Sequence, residues 1–208
     1  MINNNVNIFI HVATLNNYMS ILEDFLDRIQ KSGLGAIANI HICVAGNDIE
    51  LPNHPVYHNG RLEQFEFPTL NRLSVLAKKQ PDSKILYIHT KGVSTPDNPC
   101  IDDWRNYMAH FVINKFQDCL SALENFDTCG VDLRDRPALH YSGNFWWANA
   151  NHINSLPEFK DMPLILTERH KAEFWICSRP GKHKSLWDSG INQFGRHLHR
   201  YPPERYIK

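Results

Sequence analysis

Two spacings of apolar residues alternate along the first half of the chain. Residues 6–13 (VNIFIHVA), 40–45 (IHICVA) and 85–88 (ILYI) are short, nearly continuous apolar runs bounded by polar or turn-forming residues. That pattern belongs to strands covered on both faces of a sheet. Between them the spacing becomes helical. Met19, Leu22, Phe25, Leu26 and Ile29 fall on one face of residues 18–29, and Gly33 and Gly35 end the segment. Leu73, Leu76 and Ala77 do the same in residues 70–78, closed by Pro81. A further short strand is predicted around Val56 and Tyr57. Strand, helix, strand, strand, helix, strand is the order of an α/β fold: a mixed, mostly parallel central sheet flanked by helices.

Beyond Gly92 the composition changes. Residues 93–100 (VSTPDNPC) are rich in turn formers and predict a loop over the carboxyl end of the preceding strand. Asp102 or Asp103 is placed to cap a long amphipathic helix over residues 104–123. Strands are predicted at 129–132 and 145–150, and helices at 151–156 and 169–177. The tail from Arg179 is loop-rich and basic. No internal repeat, low-complexity tract or linker divides the 208 residues, which predicts one domain.

Composition narrows the function classes. Lysine plus arginine balance aspartate plus glutamate at 22 each, so the surface lacks the excess of positive charge that general nucleic-acid binding needs. The five cysteines are odd in number and show no C-x-x-C spacing, which suggests neither a disulfide framework nor a zinc ribbon. A reducing, cytoplasmic setting fits them. The opening Met-Ile-Asn-Asn-Asn lacks the basic flank and apolar core of a signal peptide. No apolar run approaches the roughly 18 residues of a membrane span.

Candidate chemistry gathers at the end of the strand over 85–88, where His89-Thr90-Lys91-Gly92 follows directly. Ligands of open α/β sheets sit outside the carboxyl ends of the strands. The strand therefore delivers an imidazole, a hydroxyl, an ammonium and a glycine to the edge where chemistry is expected. A second cluster, Ser142-Gly143-Asn144-Phe145-Trp146-Trp147, offers main-chain N–H groups, an amide and aromatic faces suited to a sugar. On a strand the two tryptophans point to opposite sides, so at least one belongs to the core. The first strand ends in His11-Val12-Ala13-Thr14, an edge able to hold a base and ribose. The dinucleotide fingerprint G-x-G-x-x-G, the Walker loop and the G-x-S-x-G elbow are all absent from the sequence.

Taken together, residues 87–92 (YIHTKG), 104–108 (WRNYM), 127–131 (DTCGV) and 140–148 (HYSGNFWWA) resemble a small group of glycosyltransferases of bacteria and large algal viruses, among them those that build chlorella-virus capsid glycans. The likeness runs from about residue 6 to residue 206. It implies the GT-A nucleotide-diphospho-sugar transferase fold, with a nucleotide-binding half over 1–92 and a sugar and acceptor half over 93–208. It further implies a UDP-sugar donor, a glycan or glycoprotein acceptor and a divalent metal, Mn2+ or Mg2+. On that reading His11, Ala13, Thr14, Arg72 and Lys91 contact the nucleotide. Ser142, Gly143, Asn144 and Trp146 contact sugar and acceptor.

The sequence departs from the group's usual pattern at one point. GT-A enzymes commonly end the central strand in Asp-x-Asp, whose carboxylates hold the metal; this chain has no Asp-x-Asp. His89 stands in that place as the expected metal ligand, and Lys91 as a point charge for the diphosphate. Asp102 and Asp103 are further acid candidates, though the helix cap explains them more simply. For the catalytic base the resemblance points to Glu173, in the order where inverting enzymes carry a carboxylate at a helix start. A solvated pair with Arg169 four residues before is the plainer reading of Glu173, and His170 and Asp188 are weaker candidates. The alternatives to a transferase are a nucleotide-sugar hydrolase or pyrophosphorylase on the same fold, or a carbohydrate-binding module without activity.

Overall fold

The computed structural model describes residues 5–207. The opening Met-Ile-Asn-Asn, whose composition bears on the signal-peptide reading, lies outside the described residues. Among the described residues there are nine strands: β1 (Val6–Ala13), β2 (Ala38–Ala45), β3 (Val56–Gly60), β4 (Lys84–His89), β5 (Thr128–Gly130), β6 (Leu133–Arg134), β7 (His140–Tyr141), β8 (Trp146–Asn149) and β9 (His183–Ser185). The α-helices are α1 (Tyr18–Ser32), α2 (Phe67–Lys79), α3 (Pro99–Ala109), α4 (Phe116–Ala122), α5 (Ala150–Ser155) and α6 (Lys171–Phe174).

Seven strands form one sheet in the order β3-β2-β1-β4-β8-β5-β9, and β6 pairs with β7 outside it. β1 runs parallel to both β2 and β4. β8 is antiparallel to its neighbours β4 and β5. The sheet is thus mixed and mostly parallel, as the alternation of strand and helix patterns predicts. The two rims are short: β3 pairs with β2 through an irregular register, and β9 contributes three residues beside β5.

Each face of the sheet carries its own core. Ile8, Ile10, Leu86, Ile88 and Trp147 point to one face and pack against α1 and α3 through Phe25, Tyr107 and Met108. Phe9, Ile85, Tyr87 and Trp146 point to the other, against α2 and α5 through Leu70, Leu73 and Ile153. This is the period-2 alternation of a strand, and it explains why the inner strands read as unbroken apolar runs. The neighbouring tryptophans of β8 divide between the two cores, and both are fully buried.

The predicted helix over 104–123 starts earlier and is interrupted. Asn98, not an aspartate, is the cap: its Oδ1 accepts from the Cys100 amide at 3.0 Å, and Pro99 opens α3. A π-helical turn at His110–Asn114 separates α3 from α4. That turn directs the Val112 carbonyl to Trp147, whose Nε1 donates to it at 2.8 Å. Asp102 pairs with Arg105 inside α3, while Asp103 accepts from Arg200 and from the Tyr201 amide.

The C-terminal tail is more ordered than its loop-rich composition suggests, because a buried carboxylate secures it. Asp132 accepts from Ser189 N and Ser189 Oγ at 2.8 and 3.0 Å, from Arg134 at 2.9 Å and from Arg196. The Arg196 guanidinium lies buried over the rings of Trp104, Tyr107 and Tyr201. Neither β9 nor this anchor has a periodic signature in the sequence.

Candidate active site

The strand order reverses between β1 and β4: β2 and β3 continue to one side of β1, and β4 starts the other side. Crevices at such switch points are where open α/β sheets hold ligands. A cavity of about 260 Å³ opens there, lined by His11, Ala13, Glu66, His89, Lys91 and Glu173 among others. A smaller hollow of about 180 Å³ adjoins it, lined by His140, Ser142, Gly143 and His170. Trp104 and Glu173 line both.

Thus His11, Ala13, His89, Lys91 and Glu173 are brought to one cavity, as their positions in the sequence suggest. Lys91 stands two residues beyond the end of β4 and lays its Nζ 4.0 Å over the Trp104 ring. Burial lowers its pKa, and the nearby Arg169 charge lowers it further against the opposing pull of Glu173 and Glu66. His11 donates to or accepts from Thr69 Oγ1 through Nδ1 at 2.8 Å. Burial brings its pKa down to about 4, so it is neutral near pH 7.

Glu66 is the residue that the sequence reading missed. It stands at the N-cap position of α2, immediately before Phe67-Pro68. Its Oε2 accepts from Tyr87 OH at 2.7 Å and from Asn144 Nδ2 at 2.6 Å. Its Oε1 lies 3.1 Å from His89 Nδ1, although that nitrogen is not aligned for a hydrogen bond. Burial alone would raise the Glu66 pKa. The charge of His89 and the hydrogen bonds donated to the carboxylate outweigh it and hold the carboxyl well below its ordinary range. The only local signal is an acid just before a Phe-Pro helix start, and that reads equally as a capping preference.

The rest of the predicted site separates. Thr14 is buried and serves the turn after β1: its Oγ1 accepts from the Asn47 amide at 2.6 Å. Arg72 lies on a different part of the sheet, its guanidinium 3.9 Å over Tyr57 and lining a hollow with Phe9 and His41. The helical phase that turns Thr69, Leu70 and Leu73 inward leaves Arg72 off the crevice. Ser142 and Gly143 do reach the second hollow. Gly143 has φ +93°, and a Cβ there would run into Met108 and Trp104. Asn144 turns inward and ties Glu66 to Trp146, whose Nε1 donates to Asn144 Oδ1 at 2.9 Å.

Trp146 therefore presents no ring face to a sugar. It is fully buried and stacks on Tyr87 with ring centroids 5.1 Å apart. Trp146→Phe should lower stability by about 1–3 kcal/mol, through lost packing and a lost hydrogen bond. UDP affinity should stay unchanged. Urea unfolding and a UDP titration of the variant test both halves; a weakened titration with normal stability would return Trp146 to the ligand site.

The other base candidates are engaged elsewhere. Asp188 receives two hydrogen bonds from Arg134, at 2.7 and 2.9 Å, and that arginine chiefly holds its carboxyl down to about 2. In the larger hollow beside it, about 420 Å³, Arg134 and Asp188 pair with each other. His170 faces the second hollow with Nδ1 2.7 Å from Thr167 Oγ1. No ion pair joins Glu173 to Arg169 among the described residues; both line the first cavity. Nor do any three His, Cys, Asp or Glu side chains among the described residues stand together as a metal-binding group. Beside His89 the available carboxylate is Glu66, already engaged by Tyr87 and Asn144. The side chains present do not make the ligand set that the resemblance implies.

The family model described as Domain of unknown function (DUF8361) matches residues 7–164. No curated protein matches the chain. Among solved structures, a protein of Desulfovibrio desulfuricans G20 described as a "putative nucleotide-diphospho-sugar transferase" aligns with a TM-score of 0.51. The alignment covers 88% of this chain and 80% of that one at 13% identity. At that identity the likeness is one of fold, and it agrees with the mixed, mostly parallel sheet flanked by helices. No helix among the described residues is long and apolar enough to cross a membrane.

Proposed function

The chain belongs to that family of unknown function, and on this premise we propose that it is a glycosyltransferase with a nucleotide-diphospho-sugar donor. UDP-glucose or a related UDP-hexose or deoxyhexose is the donor favoured, and a hydroxyl of a glycan or glycoprotein the acceptor. The observation that carries the proposal is the cavity at the β1–β4 switch point, which holds a cation, Lys91, and an acid, Glu173, together. A fold shared with a nucleotide-sugar transferase structure supports it.

In this reaction the donor occupies the first cavity, with its diphosphate toward Lys91. The acceptor enters from the second hollow, past Ser142 and Gly143. Glu173 stands on the wall common to both. The acceptor oxygen forms a bond to the anomeric carbon while the bond from that carbon to the diphosphate oxygen breaks. The electron pair leaves with the diphosphate, and the hydroxyl proton passes to Glu173. Such a single displacement inverts the anomeric centre. His11, neutral and held by Thr69, contributes shape and a polar wall without adding charge.

The test is incubation of the purified protein with a panel of UDP-sugars and glycans, read by mass spectrometry. The expected result is free UDP matched by an acceptor heavier by one sugar. UDP and free sugar without an acceptor product would mark a hydrolase. Sugar binding with no affinity for UDP would mark a binding module and overturn the proposal.

A further inference from the structure

We propose that this chain holds the donor's diphosphate with two side-chain cations, Lys91 and Arg169, and not through a protein-bound divalent metal. The inference rests on the nucleotide-sugar reading above and concerns how that ligand's charge is met.

The donor set is the first ground. A small divalent cation requires several oxygen ligands in fixed geometry, usually with at least one carboxylate. The acids lining the cavity are Glu66 and Glu173. Glu66 already accepts from Tyr87 and Asn144, and its second oxygen faces His89. His11 commits Nδ1 to Thr69. No three metal-binding side chains converge among the described residues.

The second ground is the placement of the cations. Lys91 sits just beyond the end of β4 with its ammonium over Trp104 and no ion-pair partner among the described residues. Glu173 and Glu66 act on it from the same cavity without pairing with it. Arg169 reaches the same cavity from the opposite segment, its guanidinium 6.0 Å from the Phe65 ring centroid. It is near enough to weigh on the protonation of Lys91. Of the two acids on the same wall, Glu66 is engaged by Tyr87 and Asn144, and no ion pair joins Glu173 to either cation among the described residues, so both positive charges can be directed at one anion. A diphosphate supplies that anion: the ammonium is a point charge for it, and the planar guanidinium a bidentate donor to its oxygens. As the leaving group gains charge, both cations stabilise it where a metal ion otherwise acts.

The experiment is calorimetric titration of the whole chain with UDP and with UMP, after EDTA treatment and again with MnCl2. UDP should bind equally, within about threefold, under both conditions, and UMP should bind about tenfold more weakly because it lacks the second phosphate. Lys91→Met should weaken UDP about ten- to a hundredfold, and Arg169→Ala about fivefold or more. Melting without ligand separates these losses from misfolding. Lys91→Met should melt at or above the parent temperature, since it removes a half-buried charge and leaves an apolar chain over Trp104. UDP binding that appears only with manganese overturns the proposal and leaves the nucleotide-sugar reading intact. Metal-free binding that both substitutions leave untouched overturns it as well. No UDP binding under either condition overturns both.

Discussion

Glu173→Gln is expected to leave a protein that folds and binds UDP like the parent but transfers sugar about 10²–10⁴-fold more slowly, the usual worth of a positioned general base. Glutamine keeps the size of the side chain on α6 and its place between the two hollows. It cannot take the acceptor proton. Because the hydroxyl is a poor nucleophile until that proton moves, the loss should fall on kcat, with the Km for donor little changed. The measurement is the rate of UDP release with saturating acceptor, beside a UDP titration of the same preparation. Unaltered turnover would remove Glu173 from catalysis and return attention to His170, which with His140 is titratable on the second hollow.

Glu66→Ala is expected to destabilise the fold by about 3–5 kcal/mol, the range for removing one partner from a buried, charged network. Three groups depend on this carboxylate: the Tyr87 hydroxyl, the Asn144 amide and the His89 imidazole. The substitution leaves a buried O–H and a buried N–H without acceptors. For a chain of this size the melting temperature should fall by roughly 6–20 °C. The same network predicts an acid limb. Because the Glu66 pKa is depressed in the folded state, its contribution is fully present above the ordinary carboxylate range and fades as pH falls below that range toward the folded value. Glu66→Gln should flatten that limb in urea unfolding followed from pH 7 to pH 3. Parent and variant losing stability in parallel would show that other carboxylates carry the acid response.

What the sequence discloses about the fold is what repeats along it. β1 and β4 stand close to where their apolar runs place them, because strands covered on both faces must be apolar throughout. α1 and α2 follow from the spacing of Leu22, Phe25 and Leu73. The site is legible where chemistry follows directly on a strand end. His11 and Ala13 lie at the end of β1, His89 ends β4 and Lys91 stands two residues beyond it, so the parallel pairing of those strands brings all four together. Residues whose role depends on helix phase or on a distant partner are not legible in that way. Arg72 is carried by α2 over Tyr57, off the crevice. Asn144 and Trp146 read as sugar contacts until the fold turns them toward Glu66, which is 78 residues from Asn144. Arg169 reads as a surface partner of Glu173 because its separation from Lys91 in sequence hides their shared cavity.

The short rims of the sheet bear on how the protein behaves when concentrated. A long, flat outer strand is a template on which further copies can add, strand upon strand, into aggregates. β3 is irregular in register, and its His58 is engaged by Asp48 at 2.9 Å. β9 offers three residues with an exposed lysine, Lys184, at their centre, and Pro180 and Gly181 lie just before it. The most adhesive strands, β1 and β4, are enclosed on either side by paired neighbours. Growth of the sheet beyond either edge thus meets charge, irregular backbone or too little length, and the apolar interior that makes the fold stable is kept from linking one molecule to the next.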